Sequence, residues 1–411
     1  MPTPDPRQLL TSTVVIAGAG LAGDRAAQTL RKEGFDGRVV LVSDEDVRPY
    51  DRPPLSKGYL SGSASFDRIA LHKAGYYADR GIELLISTRA TSLDVANQRL
   101  ELDSGHSLAY DQLLLATGAR PRRLDLPGSD LEGVYYLRDF HDAEHIRAAL
   151  GPGGRSPAGG QGPTRLVVIG AGWIGTEVAA SARRLGADVA IIDVVHAPLE
   201  RVLGSEVGGI FARLHAEHGV SLYMGVGVAA LRGGPAVREV LLADGTVVEA
   251  DLVVIGVGVI PRDGLARQAG LVVGDGIVVD EYLATSAPGV WAAGDVASAY
   301  HRTYGRQVRL EHWAAATGQG PAVARNILGD HKPYDRTPYC WSDQYDLSAE
   351  YTGYAPTWDQ VVVRADGTDG QVLAYWLREG RVIAGLSANV EGGTERVEAL
   401  IRSPDRPGAD L

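Results

Sequence analysis

Two short runs of glycine carry the first chemistry legible in this chain. Gly18, Gly20 and Gly23 stand at GxGxxG spacing in TVVIAGAGLAG, and Gly170, Gly172 and Gly175 repeat that spacing in LVVIGAGWIG. Side chains at those points would block a tight turn and keep backbone amides away from an anion, and glycine removes both obstacles. A β-rich apolar run precedes each loop, and a helix-favouring stretch comes after it, roughly Ala22–Glu33 and Thr176–Leu185. That order sets a helix N-terminus against a pyrophosphate. An acid should then end the second strand and accept hydrogen bonds from a ribose. RVVLVSDE supplies Asp44 and Glu45, and DVAIID supplies Asp193. A single glycine loop is weak evidence; strand, loop, helix and acid in register are far more specific. Val194, Val195 and His196 come next after Asp193, with no arginine to meet a 2′-phosphate, which favours NADH over NADPH. The plain alternative is that Asp193 is an ordinary strand-end acid.

Two dinucleotide sites point to one tightly held flavin and one exchangeable nicotinamide, a pairing that performs hydride transfer. WAAGDVA fits the flavin: Gly294 and Asp295 at a strand end would set the carboxylate on a ribityl chain, although alone Asp295 reads as a helix N-cap. Lys57 is a candidate for stabilising negative charge on a reduced flavin, and Glu177 a candidate partner that fixes it. Their plain alternatives are a snorkelling lysine and an acid that complements a helix dipole.

The elements that must position these residues come as a weak internal repeat. Each glycine-loop unit closes alike: a turn at Ser104–Gly105, a strand, then Thr117 and Gly118; a turn at Asp244–Gly245, a strand, then Val257 and Gly258. Two copies of βαβ with a subsequent hairpin imply two nucleotide-binding domains. Residues 151–163, GPGGRSPAGGQGP, read as an exposed connector. A helix over Trp313–Leu328 ends the first domain, and QVVVRAD, QVLAYWL and RVIAGLS then alternate as an antiparallel sheet before a last helix, GTERVEALIRS. The expected fold class is α/β. Residues 1–121 with 254–330 form one Rossmann-like domain, for FAD, and residues 122–253 a second, for NAD. Residues 331–411 form a C-terminal α+β domain.

Composition narrows the function. A length of 411 residues is too great for a single core. A net charge of -11 argues against a nucleic-acid partner. One cysteine, Cys340, excludes an internal disulfide, a CxxC pair and a cysteine-based metal site, and no metal ligand set is expected. The start lacks a secretory signal pattern and no apolar run reaches the length of a membrane span, so a reduced, cytoplasmic setting is expected.

Longer runs resemble a known family. PYDRPPLSKGYL (Pro49–Leu60), PYCWSDQYD (Pro338–Asp346), GAGWIGTEVAA and LEHWAAATGQG are similar to segments of the FAD-dependent ferredoxin reductases, of the putidaredoxin reductase and oxygenase-coupled type, and the similarity runs from about Thr13 to Arg402. The resemblance implies a glutathione-reductase-like architecture and roles for particular residues. Ala22 would lie on the FAD pyrophosphate, Asp44 with Glu45 on its ribose, Arg52 by the adenine end, and Lys57 near flavin N5. Ala90 would touch the adenine through its backbone, Arg138 lies in the matching YLRD segment, Asp295 would hold the ribityl, and the Trp313 backbone the pyrimidine side. Trp173, in the variable slot of GAGWIG, would cover the flavin until nicotinamide enters; a large ring inside a glycine loop is also a poor core choice. Trp341 would lie by the flavin or a domain interface, with plain packing as the alternative. The implied partner is an acidic 2Fe–2S ferredoxin docking near the flavin edge and serving a haem or Rieske oxygenase. Arg302, Arg306 and Arg309 would form a rim that attracts it, or simply a solvated cluster. Cys340 departs from the family pattern, which has an aromatic there, and reads as a packed, inert thiol. The short tail and TGYAPTWDQ also depart from that pattern.

Two other functions compete with this one. An NADH oxidase or peroxidase needs a reactive cysteine by the flavin, and a disulfide reductase needs two. An apoptosis-inducing-factor-like redox sensor would hold a long-lived reduced complex and pass electrons poorly, and no long insertion before the C-terminal domain supports it.

Overall fold

The computed structural model describes residues 12–151 and 162–403, so most of the expected connector at 151–163 lies outside the described residues. The described residues divide into two compact units, one of residues 12–51, 66–120 and 260–338, the other of residues 52–65, 121–151, 162–259 and 339–403.

The first unit is built on a five-stranded parallel sheet. Its order is Val290–Ala292, Gln112–Leu115, Thr13–Ala17, Arg38–Val42, Ile82–Leu85. The central strands carry runs of valine, isoleucine and leucine buried one after another, as expected where both faces are covered. Helices Leu21–Lys32 and Trp313–Ile327 cover the sheet, their alanines and leucines joining its core. The expected turn at Ser104–Gly105 joins strands Arg99–Leu102 and Ser107–Ala109.

The second unit repeats the plan. Its parallel sheet runs Ser221–Met224, Asp188–Asp193, Arg165–Ile169, Leu252–Ile255, Val134–Tyr136. In both sheets the strand before the glycine loop lies between the strand that leads to the acid and the strand that comes after the hairpin. That shared register is the physical content of the sequence repeat.

The same unit carries a second, antiparallel sheet ordered Tyr339–Gln344, Leu347–Gly353, Arg381–Ala388, Val372–Arg378, Gln360–Asp366. Strand Val372–Arg378 is buried on both faces, and its alternation shows how. Ala374 and Trp376 pack with Leu203 and Phe211 of helix Glu200–Glu217. Leu373, Tyr375 and Leu377 pack with Val397 of the last helix, Gly393–Arg402.

Candidate functional site

The first glycine loop is held by close backbone approach. Gly18 sits at φ +115°, and a Cβ there would stand 2.1 Å from the Ala116 carbonyl oxygen; a Cβ on Gly23 would stand 2.0 Å from that of Gly18. Gly20 is different, because a Cβ on it would meet nothing within 4 Å. Gly20 caps helix Leu21–Lys32 without a side-chain hydrogen bond, so no side chain satisfies the first-turn amides there. Ala22 is buried there, within 3.0 Å of where a Gly294 Cβ would be. The Gly294 amide donates to Gln319 at 2.8 Å.

The other groups expected in this unit have the following partners. Asp44 pairs with Arg262 at 3.0 Å, and Glu45 accepts from the Tyr50 hydroxyl at 2.5 Å. The Thr117 hydroxyl donates to the Arg262 carbonyl at 2.7 Å, and Gly118 takes φ +68° beside it. Ala90 opens strand Ala90–Asp94, opposite Leu102. Trp313 opens its helix with no side-chain cap before it, and its indole donates to Asp51 at 2.8 Å. Burial pushes the adjacent His312 imidazole down, opposed by the Asp295 charge.

The second loop repeats this geometry. Gly170 sits at φ +107°, a Cβ on it would be 2.3 Å from the Gly256 oxygen, and a Cβ on Gly172 would meet nothing. Helix Trp173–Leu185 again lacks a side-chain cap. Asp193 is tied to the loop: one carboxylate oxygen accepts from the Ala171 amide at 2.7 Å, the other from the Val195 amide at 3.2 Å. Two open, uncapped helix starts, each with strand-end carboxylates, fit two dinucleotides.

Lys57, Arg52 and Arg138, expected at the flavin, belong to the second unit. Arg52 donates to the Arg138 carbonyl at 2.8 Å. Lys57 ends the short 3₁₀ helix Pro53–Ser56, and its ammonium lies 2.8 Å from Glu177. Glu177 is 3% exposed and also accepts from Ser56 at 2.5 Å and Ser342 at 2.7 Å. It lies past the first turn of its helix, so it serves as the lysine's buried counter-ion rather than a dipole acid. Sequence reasoning misses Ser56 and Ser342 as site residues, although both stand inside the two long signatures; nothing local shows that their hydroxyls converge.

Two expectations need correction. Trp173 lies outside the loop turn, as the first residue of its helix, half-buried and edge-on to Phe211 at 6.3 Å against the apolar cluster of the C-terminal sheet. Arg309 is no rim residue: its side chain is 10% exposed and bound to Asp275 at 2.9 Å and Glu311 at 2.6 Å. Arg302 is exposed but paired with Glu281.

Cys340 is buried, and its thiol is pushed up to about 12 by burial and then by the Glu177 charge, so it is inert. Among the described residues no group of His, Cys, Asp or Glu is placed to hold a metal, and no helix is long and apolar enough to cross a membrane.

Known proteins share this arrangement over most of the chain. The profile of the pyridine nucleotide-disulphide oxidoreductase family matches residues 12–320, and that of the reductase C-terminal domain residues 339–410. The chain is 38% identical over 373 residues to the ferredoxin reductase subunit of 5,5'-dehydrodivanillate O-demethylase from a Sphingobium species, covering 90% of this chain and 88% of that one. It is 38% identical over 382 residues to the ferredoxin–NAD(+) reductase component of the biphenyl dioxygenase system of Paraburkholderia xenovorans, covering 92% and 90%. Among solved structures, the reductase in the covalent putidaredoxin reductase–putidaredoxin complex matches with a TM-score of 0.89 at 37% identity, covering 95% and 93% of the two chains.

Proposed function

The chain belongs to the pyridine nucleotide-disulphide oxidoreductase family, and we propose that it is the FAD-containing member that carries electrons from NADH to a 2Fe–2S ferredoxin. The observation that carries this reading is a pair of open dinucleotide loops in a chain whose one cysteine is buried and inert. Such a chain can accept a hydride but has no thiol to pass it on, so the electrons leave to an external acceptor.

Bound FAD would supply hydride acceptance from NADH and one-electron release to the acceptor. The chain's part is to bind and orient. Gly18, Gly20, Ala22 and Gly23 hold the FAD pyrophosphate, Asp44 and Glu45 its ribose, and Ala90, Thr117 and Gly118 line the same site. Gly294, Asp295 and the Trp313 backbone hold the ribityl and ring end. Gly170, Gly172 and Gly175 receive the NADH pyrophosphate. Asp193, already fixed by two amides, presents its carboxylate to the adenosine ribose and repels a 2′-phosphate.

Lys57 supplies positive charge where electron density grows on reduction, with Glu177 fixing the ammonium. Arg52 and Arg138 complete the FAD contacts, and Trp173 governs nicotinamide entry. The corresponding domain division is 1–121 with 254–330 for FAD, 122–253 for NADH, and 331–411 at the C-terminus. The partner is an acidic ferredoxin that serves a haem or Rieske oxygenase, as the oxygenase systems of the relatives suggest. A cytoplasmic setting belongs to the same reading.

Replacing the only thiol tests it. Cys340→Ser should oxidise NADH with a 2Fe–2S ferredoxin as acceptor within about twofold of the parent, since a buried inert thiol takes no part in the chemistry. Selective loss of turnover in a folded, flavin-loaded Cys340→Ser protein would overturn the reading.

A further inference from the structure

Behind the Lys57–Glu177 pair, a buried row of hydrogen bonds crosses the second unit and reaches helix Glu200–Glu217. Ser342 donates its hydroxyl proton to Glu177 at 2.7 Å. Gln344, fully buried, donates to Ser342 at 3.1 Å and to the Thr176 hydroxyl at 2.9 Å. Thr176 spends its own proton on helix carbonyls at Gly172 and Trp173, both 3.0 Å away. The Gln344 carbonyl faces His215 Nε2 at 2.9 Å, and the Tyr345 hydroxyl faces His215 Nδ1 at 3.2 Å.

One assignment satisfies every partner. Tyr345 donates to Nδ1, so His215 carries its proton on Nε2 and donates to the Gln344 carbonyl. The Gln344 amide group then faces both hydroxyls, which leaves Ser342 free to give its one proton to Glu177. With the other histidine tautomer, the Gln344 amide would turn over and its carbonyl would compete with Glu177 for that proton. His215 is fully buried, and burial pushes its imidazole down to about 4, which keeps it neutral.

A second observation points the same way. Tyr345 occupies the turn between strands Tyr339–Gln344 and Leu347–Gly353 at φ +57°, a costly conformation for a residue with a side chain. It is held there by stacking on His218 at 3.6 Å and by Arg184, which donates to its carbonyl. The turn thus sets the hydroxyl on His215.

We propose that Gln344, oriented by His215 and Tyr345, is a positioning residue for the Lys57–Glu177 pair. It commits the Ser342 proton to Glu177, and so fixes the position of the Lys57 ammonium. The inference rests on the ferredoxin-reductase reading of the same site.

The test compares Gln344→Leu, Lys57→Met and the double variant, each purified with its flavin. Three quantities are read: the two-electron midpoint potential of the bound flavin, the rate of its reduction at saturating NADH, and the Kd for NADH. Gln344→Leu should lower the potential by about 30 mV, a tenfold change in the two-electron equilibrium. It should slow reduction about tenfold and leave the Kd within twofold. In the double variant the potential and rate should match Lys57→Met alone, because the glutamine acts only through the lysine. Ser342→Ala removes the hydroxyl itself and should reproduce the Gln344→Leu shifts; it serves also if the leucine variant fails to fold. Additive effects in the double variant, or an unchanged potential and rate in both single variants, would overturn the proposal. If instead the parent protein binds no flavin, or NADH does not reduce it, the underlying functional reading fails.

Discussion

Glu177 is the residue on which the site's electrostatics turn, because it neutralises Lys57 while accepting two further hydroxyl protons in a buried setting. Removing one partner of such a pair strands the other charge, a loss of about 3–5 kcal/mol for fully buried pairs. Lys57 is 18% exposed, so Glu177→Leu should fall near the lower end, read as a drop in urea midpoint at unchanged slope. Glu177→Gln keeps the shape and should slow flavin reduction at saturating NADH by about tenfold or more. His215 gives a pH signature. Its imidazole falls from 6.5 unfolded to about 4 folded, so the unfolded chain binds the extra proton between those values. Stability should therefore be full above about pH 6.5 and decline as pH falls toward 4, by up to about 3 kcal/mol from this group. His215→Gln should flatten that slope in urea titrations; an unchanged slope would mean that the histidine is charged when folded. Lys57 and Glu177 are legible from the PPLSK and GAGWIGTEVAA runs. Ser342 and Gln344 are not legible as partners, since they meet Glu177 and Thr176 across 165 and 168 positions. Arg309 is misplaced by sequence reasoning for the same cause: the Asp275 that draws it inward belongs to no motif.

At the scale of elements, the two glycine loops separate positions that shape the turn from positions that admit a ligand. Gly172→Ala puts a methyl group into open space at an ordinary backbone angle, so the fold should hold, with Tm within about 3 °C. That methyl should still obstruct the NADH pyrophosphate and raise the Kd for NADH about tenfold or more, with bound FAD unchanged. Gly175→Ala would drive a Cβ to 2.0 Å from the Gly170 oxygen and should cost several kcal/mol. Equal effects of the two substitutions on stability would contradict this division. The glycine pattern and the alternating C-terminal runs make most elements readable in advance. The start of the second helix is the exception. The sequence reading starts that helix near Thr176 and leaves Trp173 inside the loop, yet the helix begins at Trp173 directly after Gly172, just as the first begins at Leu21 directly after Gly20.

The whole molecule is a duplicated α/β plan with an added antiparallel sheet, and the duplication is visible in the sequence because each copy repeats strand, loop, helix, acid and hairpin. The division into two compact units is not visible there. Residues 52–65 lie within the long stretch of the first unit but belong with the second, where Leu60 joins the core and Lys57 meets Glu177. On the proposed reading Asp193 governs the choice of nicotinamide, and Asp193→Ser should narrow the preference for NADH over NADPH about tenfold, read as the ratio of kcat/KM values. The most direct test of the central claim is anaerobic stopped-flow reduction of the purified protein by NADH, with a 2Fe–2S ferredoxin mixed in afterwards. Rapid bleaching of bound flavin by NADH, slower bleaching by NADPH, and prompt appearance of reduced ferredoxin as the flavin colour returns would bear the claim out. Protein without flavin, or a reduced protein that keeps its electrons when the ferredoxin arrives, would contradict it.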